Sequence, residues 1–208
     1  YVEWKNDFGG RTAQHHDAML NDHTQSHGEY RTITKTWLEA AKQFLARKNA
    51  LYCFGSDKML FALRDGMLDA GFRFWQLLIW LKTSTVVWRL DYQPQTELIF
   101  YGWHGVHAFH KPKDKNVLIC PKTLKNDLHP TMKPISLLRR LILNSSRIGD
   151  TIYDPFGGSG STLIAAEDTK RRCVMIETDP KYCRVILERF EKHTGVKAVP
   201  LSNVKHAR

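Results

Sequence analysis

The spacing of hydrophobic residues divides the chain into short apolar runs and amphipathic stretches that alternate. The pattern predicts helices over residues 37–45, 58–70, 135–146, 160–169 and 180–193, and strands over residues 50–55, 74–81, 96–101, 151–154 and 173–177. Residues 5–31 are polar with little periodicity, which predicts a surface loop. The alternation predicts an α/β fold, in which a mostly parallel sheet carries helices on both faces.

A glycine-rich segment joins the predicted strand that ends at Asp154 to the next predicted helix. Gly157, Gly158 and Gly160 have no Cβ, so the backbone can turn sharply there and a ligand can lie against it. The first turn of the helix offers N–H groups without an intrahelical partner. The segment indicates a nucleotide-type ligand site, and an ordinary strand-to-helix connection is the alternative.

Two better-known glycine loops do not fit this segment. A phosphate-binding P-loop needs a lysine after its last glycine, where this chain has Ser161. The dinucleotide pattern, counted from Gly158, needs a glycine at the position of Leu163. The next apolar run closes on Glu177, a carboxylate suited to a ribose diol. The sequence therefore predicts a site for adenosine that is not built for pyrophosphate.

The charge balance favours a polyanionic partner. The chain has 31 lysines and arginines against 21 aspartates and glutamates, a net charge of +10. Such an excess suits nucleic acid, although a solvated basic surface is the alternative. The length of 208 residues and the 42% hydrophobic content fit one domain with a sizeable core.

The cysteines, the apolar stretches and the histidines indicate what the protein lacks. Four cysteines at 53, 120, 173 and 183 show no paired spacing, which predicts a reducing compartment rather than a disulfide framework. No apolar stretch approaches the length of a membrane span, so a soluble, cytoplasmic protein without membrane contact is expected. His23 and His27 lie four residues apart without a third ligand, so no metal site is predicted.

Two motifs together resemble the amino-directed DNA methyltransferases that use S-adenosylmethionine. They are Asp-Pro-Phe-Gly-Gly-Ser-Gly-Ser-Thr at residues 154–162 and His-Pro-Thr-Met-Lys-Pro at residues 129–134. The resemblance is to the phage-type adenine-N6 enzymes of the β order, whose catalytic half precedes the cofactor half, and it covers nearly the whole chain. It implies a Rossmann-like methyltransferase fold in a single domain over residues 1–208, with a catalytic half (1–103), a short target-recognition or DNA-contact segment (104–128), a cofactor-binding half (129–193) and a basic tail (194–208).

The resemblance also implies which residues hold the cofactor, S-adenosylmethionine. The candidates are Asp154, Phe156, Gly157, Gly158 and Gly160 around the methionine and adenosine, Glu177 at the ribose, and Thr131 with Lys133 near the methionine end. Asp179 is left open between a contact to the adenine edge and an N-cap of the following helix.

Double-stranded DNA is the partner that the resemblance implies. The segment 89–103 is similar to the family segment that lines the base pocket, which nominates Tyr92, Glu97 and Trp103; strand and core packing is the alternative. Lys111, Lys113 and Lys115 suit contacts to phosphates, which position a duplex without specifying its sequence. A monomer and a homodimer both remain open.

The family's catalytic signature, Asp-Pro-Pro-Tyr, falls immediately before Tyr1 or overlaps it. Tyr1 is therefore the candidate catalytic aromatic ring, or it occupies the following position. On this view the chain is N-terminally truncated and lacks the central catalytic strand, which the family places between the strands at 151–154 and 50–55. The exposed edges then predict weak stability and no activity until that strand is restored.

The activity implied by the resemblance is methyl transfer to the N6 amine of adenine, in the cytoplasm of a bacterium or a phage-infected host. Cytosine-N4 transfer and an inactive remnant that binds DNA or cofactor are the alternatives. Transfer by direct displacement requires no covalent enzyme intermediate, and the flipped base stacks on an aromatic ring.

Overall fold

Helices and strands alternate along the residues that the structure, a computed structural model, describes: 26–84, 91–111, 113–121 and 132–200. The helices are α1 (His27–Lys42), α2 (Leu60–Asp69), α3 (Ile135–Ser145), α4 (Ser161–Asp168) and α5 (Pro180–Thr194). The strands are β1 (Lys48–Asn49), β2 (Leu51–Gly55), β3 (Arg73–Leu81), β4 (Thr96–Trp103), β5 (Val106–His107), β6 (Val117–Ile119), β7 (Thr151–Asp154) and β8 (Arg172–Met175). The chain divides into two compact units, residues 1–122 and 123–208.

A four-stranded sheet of order β2-β4-β3-β6 is the centre of the first unit. β4 runs antiparallel to both β2 and β3, whereas β3 and β6 are parallel. The prediction of a mostly parallel sheet is therefore corrected to a mixed sheet. A parallel neighbour needs a crossover that usually contains a helix, and the described residues flanking the β3–β4 connection, 82–84 and 91–95, are not helical.

One face of this sheet packs against α1 and α2. The buried residues of this core are at most 4% exposed and include Leu38, Leu63, Met67, Phe72 and Phe100. Leu38 comes from α1, Leu63 and Met67 come from α2, and Phe100 comes from β4. Burial of each of these side chains contributes about 1.5–3 kcal/mol to the stability of the fold. The shared core holds both helices on the same face of the sheet.

Helix α1 begins ten residues earlier than its hydrophobic spacing predicts, so the predicted surface loop is wrong for residues 26–31. Ser26 closes a capping box: its Oγ accepts the Glu29 N–H at 3.2 Å, and Glu29 Oε2 accepts the Ser26 N–H at 2.7 Å. The first turns contain threonines, which have low helix propensity and give no apolar stripe. The cap and the packing against α2 decide the structure there.

The second unit contains the parallel pair β7–β8 with α3, α4 and α5. The register pairs Asp154 with Met175, so both strands end at the same edge of the sheet. Arg171 fixes the opposite end, where its guanidinium donates to the Ser146 carbonyl at 2.7 Å and to Ser146 Oγ at 3.0 Å. The strand–loop–helix order predicted for residues 151–169 is confirmed by β7 and α4.

The segment predicted as a non-periodic DNA contact, 104–128, contains two short strands. β5 pairs with β1, and β6 extends the four-stranded sheet, with Leu118 only 1% exposed. Both strands are too short to show a periodicity in the sequence. None of the helices in the described ranges is long and apolar enough to cross a bilayer.

Candidate functional site

The glycine loop between β7 and α4 folds onto the segment that follows β8. Asp154 Oδ1 accepts the Phe156 N–H at 3.0 Å, at the start of the loop. The Gly157 N–H donates to the Ile176 carbonyl at 2.8 Å, and the Gly160 N–H donates to the Gly157 carbonyl at 2.8 Å. These bonds set the path of the loop before α4 begins at Ser161.

Two of the loop glycines are required by the geometry. A Cβ on Gly157 would lie 2.8 Å from both Cγ and Sδ of Met175 in β8. Gly160 has φ +78°, a backbone conformation that residues with a side chain rarely adopt, and a Cβ there would lie 3.1 Å from Ile186 Cγ1 of α5. The loop backbone therefore lies against β8 and α5 more closely than any other residue type permits.

Glu177 holds the loop with both oxygens of its carboxylate. Oε2 accepts the Gly158 N–H at 2.7 Å, and Oε1 accepts the Asp179 N–H at 2.9 Å. An ionised carboxylate has about four acceptor positions, so roughly two remain for further donors. The residue predicted at a ribose diol thus links the two segments of the site and keeps acceptor capacity for hydroxyl groups.

Two exposed apolar side chains, Phe156 and Ile176, belong to the two segments that Glu177 joins. Phe156 is 65% exposed and lies next to Gly157, whose N–H bonds to Ile176. Ile176 is 48% exposed and precedes Glu177. The sequence nominated Phe156 but not Ile176, whose only signal was its place as the last apolar residue before the acid. Apolar side chains beside a polar anchor suit a nucleoside, which has a flat base and a hydroxylated sugar.

Arg189 supports the loop from α5, and sequence reasoning missed it. Its Nη1 donates to the Ser159 carbonyl and lies 3.5 Å from Ser161 Oγ. Burial lowers the pKa of the Arg189 guanidinium, which nevertheless stays charged at neutral pH. An arginine on a mostly polar helix face carries no signal in the sequence, because the contact exists only after α5 packs against the loop.

Asp179 has the helix-capping role that was one of its two predicted roles. Its side chain accepts the Lys181 N–H at 2.8 Å at the start of α5.

Cys183 on the first turn of this helix contacts the Glu177 carbonyl at 3.4 Å. On β8, burial and the nearby Asp154 carboxylate raise the pKa of the Cys173 thiol to about 12, so it is neutral at physiological pH.

Of the two remaining predicted cofactor residues, the structure describes only Lys133. Lys133 is half-buried just before Pro134, the N-cap of α3. Thr131 and the catalytic candidate Tyr1 lie outside the described residues. Over the described ranges, no cluster of three or more histidine, cysteine or acidic side chains is arranged to hold a metal ion.

The three residues predicted in a base pocket do not converge. Tyr92 is 92% exposed, and Glu97 forms an ion pair with Lys82 at 3.0 Å. Trp103 is buried, and its ring centroid lies 5.3 Å from that of Trp75. Glu97 and Trp103 lie at opposite ends of β4, about 20 Å apart by the rise of a strand. They therefore do not form one pocket together.

The lysines predicted at phosphates are all on the surface. Lys111, Lys113 and Lys115 are exposed between β5 and β6. Lys113 has φ +68°, which places it in a left-handed turn. Their placement leaves the three ammonium groups accessible to a polyanion.

Comparison with known proteins identifies relatives of this architecture. Residues 103–188 match the family model for DNA methylases of the N6/N4 class. The chain is 26% identical over 190 residues to the type II methyltransferase M2.DpnII of Streptococcus pneumoniae, covering 82% of this chain and 70% of that protein. It is 25% identical over 191 residues to M2.LlaDCHI of Lactococcus lactis subsp. cremoris, covering 82% and 71%.

Solved structures show the same fold. The crystal structure of M1.HpyAVI with SAM matches with a TM-score of 0.67 at 22% identity, over 75% of this chain and 81% of that one. The cytosine-N4-specific PvuII DNA methyltransferase matches with a TM-score of 0.67 at 17% identity, over 84% and 76%. The fold is thus the α/β fold of the S-adenosylmethionine-dependent DNA methyltransferases, and residues 103–188 are similar to the N6/N4 class of DNA methylases.

Proposed function

We propose that this chain transfers a methyl group from S-adenosylmethionine to the exocyclic N6 amine of adenine in double-stranded DNA. The observation that carries the proposal is the loop at residues 154–160, whose Gly158 N–H is bound by Glu177, a carboxylate with acceptor positions left for a ribose. The match of residues 103–188 to the N6/N4 DNA methylase model, and the similarity to two type II methyltransferases, support the reaction class. The choice of adenine rests on the resemblance of the sequence to the β-order adenine enzymes.

The residues of the second unit fit S-adenosylmethionine. The remaining acceptor positions of Glu177 suit the ribose hydroxyls, and Phe156 with Ile176 offers apolar contact to the adenine. The first N–H groups of α4 face the loop and suit partial negative charge. When bound, the cofactor supplies a methyl group activated by a sulfonium. Thr131 and Lys133 are proposed near the methionine end.

The acceptor in the reaction needs help from the protein, because the lone pair of an exocyclic amine is delocalised into the base. Hydrogen-bond acceptors that contact the amine draw it toward tetrahedral geometry and make it nucleophilic. Alignment of the amine with the methyl group supplies much of the remaining rate. Tyr1 is proposed to stack on the flipped base, and Tyr92 and Glu97 are proposed to contact it from the edge of the sheet where β4 begins.

Cytosine-N4 transfer is the second candidate, and a specific observation favours it. The cytosine-N4-specific PvuII enzyme matches this chain with the same TM-score, 0.67, as M1.HpyAVI. Both amines are attached to aromatic rings and require the same acceptors, so the geometry of the glycine loop does not separate them.

The cofactor site is tested by isothermal titration of S-adenosylmethionine into the wild-type chain and Glu177→Gln. The amide keeps the shape of the side chain but places an NH₂ group against a backbone N–H, and it loses the charge that the ribose hydroxyls contact. We expect affinity to fall at least tenfold, the effect of about 1.5 kcal/mol from a hydrogen bond to a charged group. Glu188→Gln, an exposed position on α5, is the matched control and should leave affinity unchanged.

The reaction itself is tested by incubating the chain with S-adenosylmethionine and unmethylated duplex DNA, then digesting the DNA to nucleosides for mass spectrometry. N6-methyladenine supports the proposal, and N4-methylcytosine supports the second candidate. Cofactor binding without either product indicates a remnant that binds its ligand but does not catalyse. Absence of cofactor binding by the wild-type chain contradicts the proposed role of the loop.

A further inference from the structure

We propose that the first unit carries a second nucleic-acid site, which stacks an unpaired base on Trp75. The site, called here the tryptophan surface, consists of Trp75, Trp103 and His107 with the flanking cations Arg73 and Lys48. The inference rests on the proposed function in one respect, since both take nucleic acid as the partner. It assigns a contact to single strands, which the proposed reaction on a duplex does not require.

Aromatic rings form a continuous row at this surface. The centroids of Trp75 and Trp103 are 5.3 Å apart, and those of Trp103 and His107 are 4.4 Å apart. The His107 ring continues the row to Phe109 at 6.0 Å, with their planes within 10° of parallel. Tyr101 fixes His107 through a hydrogen bond of 2.8 Å between its Oη and Nε2. The inner rings are thus held in place, and the row ends at Trp75.

Trp75 is exposed because β3 is irregular at this point. The register of β3 against β4 shifts between Phe74 and Gln76, and Trp75 lies at this shift. The Trp75 side chain is 64% exposed, although Trp103 beside it is only 7% exposed. Strand irregularities of this kind re-aim a side chain and are common at functional sites. The shift therefore presents a large aromatic side chain to solvent on top of a fixed aromatic layer.

The charge around the row suits a polyanion. Arg73 is paired in register with Trp103, and Lys48 is paired with Val106; both cations are exposed. The three segments that build the surface, residues 44–52, 71–76 and 101–113, contain no aspartate or glutamate. Exposed aromatic rings among cations without acids are the combination that binds single-stranded nucleic acid: bases stack on the rings and phosphates contact the cations.

The tryptophan surface is separate from the edge of the sheet where ligands of α/β folds bind. Such ligands lie beyond the carboxyl ends of the strands, which in this unit are the ends at Gly55 and Leu81. The Glu97–Lys82 pair lies at that edge. Arg73 and Trp103 lie at the opposite edge, where β3 begins and β4 ends. A single nucleic-acid strand bound at the tryptophan surface does not compete with a ligand at the carboxyl edge of the sheet.

The experiment measures fluorescence anisotropy of a short labelled oligo(dT) strand titrated with the full chain, without S-adenosylmethionine. Trp75→Ala should weaken binding about tenfold, the loss of one base–aromatic stack, and Trp75→Phe should retain most of the affinity because it keeps a ring. Phe61→Ala is the matched control, since Phe61 is a comparably exposed aromatic residue on α2 whose ring is already occupied by the Arg64 guanidinium, 5.4 Å from its centroid, which in turn pairs with Asp65. It should leave affinity unchanged.

A second labelled oligonucleotide, in which abasic sites replace the bases, separates the contribution of base stacking from that of phosphate charge. The wild-type chain should bind the abasic strand more weakly than oligo(dT), and Trp75→Ala should bind both equally. The inference is overturned if Trp75→Ala binds oligo(dT) as tightly as the wild type, or loses the same factor on both strands. Because no methyl transfer is measured, a chain that methylates nothing but binds oligo(dT) through Trp75 contradicts the proposed function and leaves this inference standing.

Discussion

Individual residues decide how closely the loop of the cofactor site approaches its neighbours. Gly157 leaves no room for a Cβ, because Met175 Cγ and Sδ and the Ile176 carbonyl would lie 2.8, 2.8 and 3.2 Å from it. The same residue donates its N–H to that carbonyl. One glycine therefore sets both the distance and the hydrogen bond between the loop and the segment that carries Glu177.

We expect Gly157→Ala to lower affinity for S-adenosylmethionine at least tenfold, because the added methyl group pushes the loop away from Met175 and weakens the Gly158–Glu177 bond. Overpacking of this kind costs about 1–3 kcal/mol. Gly195→Ala is the control: its φ of +74° causes strain, but no atom lies within 4 Å of the new methyl group. It should lower the melting temperature without changing the titration. Equal affinities for wild type and Gly157→Ala would contradict the close-approach argument.

Among site residues, the sequence was sufficient where one position determines a backbone geometry. The loop glycines and Glu177 were nominated from their order along the chain, and the structure brings the loop and Glu177 together. Arg189 and Ile186 were not found, because their contacts to the loop come from the packing of α5 and not from spacing. The residues nominated for a base pocket stay a prediction, and the sequence did not show that β4 carries Glu97 and Trp103 to opposite edges of the sheet.

At the scale of elements, the contact between α1 and α2 depends on a glycine inside a helix. A Cβ on Gly66 of α2 would lie 2.6 Å from Thr34 Cβ and 2.7 Å from the Arg31 carbonyl of α1. Arg31 also bonds to Asp69 of α2, with Nε 2.6 Å from Oδ2. Hydrogen bonding to Arg31 lowers the pKa of Asp69. The two helices therefore pack with their backbones close together.

Gly66→Ala should destabilise the chain by about 1–3 kcal/mol in urea unfolding, because the methyl group separates α1 from α2. Alanine has the higher helix propensity, by about 1 kcal/mol, so propensity alone predicts the opposite sign. Gly28→Ala in the first turn of α1 is the control, since no atom lies within 4 Å of its added methyl group. That variant should be as stable as the wild type or more stable. If Gly66→Ala were more stable than the wild type, the separation of α1 from α2 would have no cost in free energy of unfolding.

Most elements were predictable from the sequence, and the failures share a physical cause. β2, β3, β4 and α2 to α5 agree with their patterns within a few residues, because each is a run of apolar residues or an amphipathic stretch long enough to be recognised. The start of α1 depends on the Ser26 cap, which was not recognised. β5 and β6 are too short for a period, and the antiparallel direction of β4 depends on pairing between strands. Local patterns therefore identified elements better than their partners or direction.

For the whole molecule, the proposed binding of duplex DNA should depend on salt, because a net charge of +10 favours contacts to phosphates. Neutralising phosphates releases condensed counterions, so the logarithm of the affinity should fall linearly with the logarithm of the salt concentration. The exposed lysines between β5 and β6 are proposed to neutralise phosphates. The linear relation between the two logarithms holds whichever unit carries the contacting charges.

Replacing Lys111, Lys113 and Lys115 together by glutamine should reduce the steepness of the salt dependence by about one for each phosphate that the variant no longer neutralises, and weaken binding to all duplex sequences alike. Lys35→Gln is the control, because Lys35 lies on α1 near Glu39, with its Nζ 3.9 Å from Oε1. The measurement is anisotropy of a labelled duplex over a series of salt concentrations. An unchanged slope for the triple variant would exclude these lysines from binding phosphates.

The bonds of Glu177 to the loop have a consequence for the kinetics of ligand capture. The Gly158 and Asp179 N–H groups bond to a carboxylate of the same chain, so the order of the loop does not depend on contacts from a nucleoside. A preorganised receptor loses little conformational entropy on association. Capture should therefore follow a single bimolecular phase whose rate rises in proportion to ligand concentration, without the plateau that a slow rearrangement imposes.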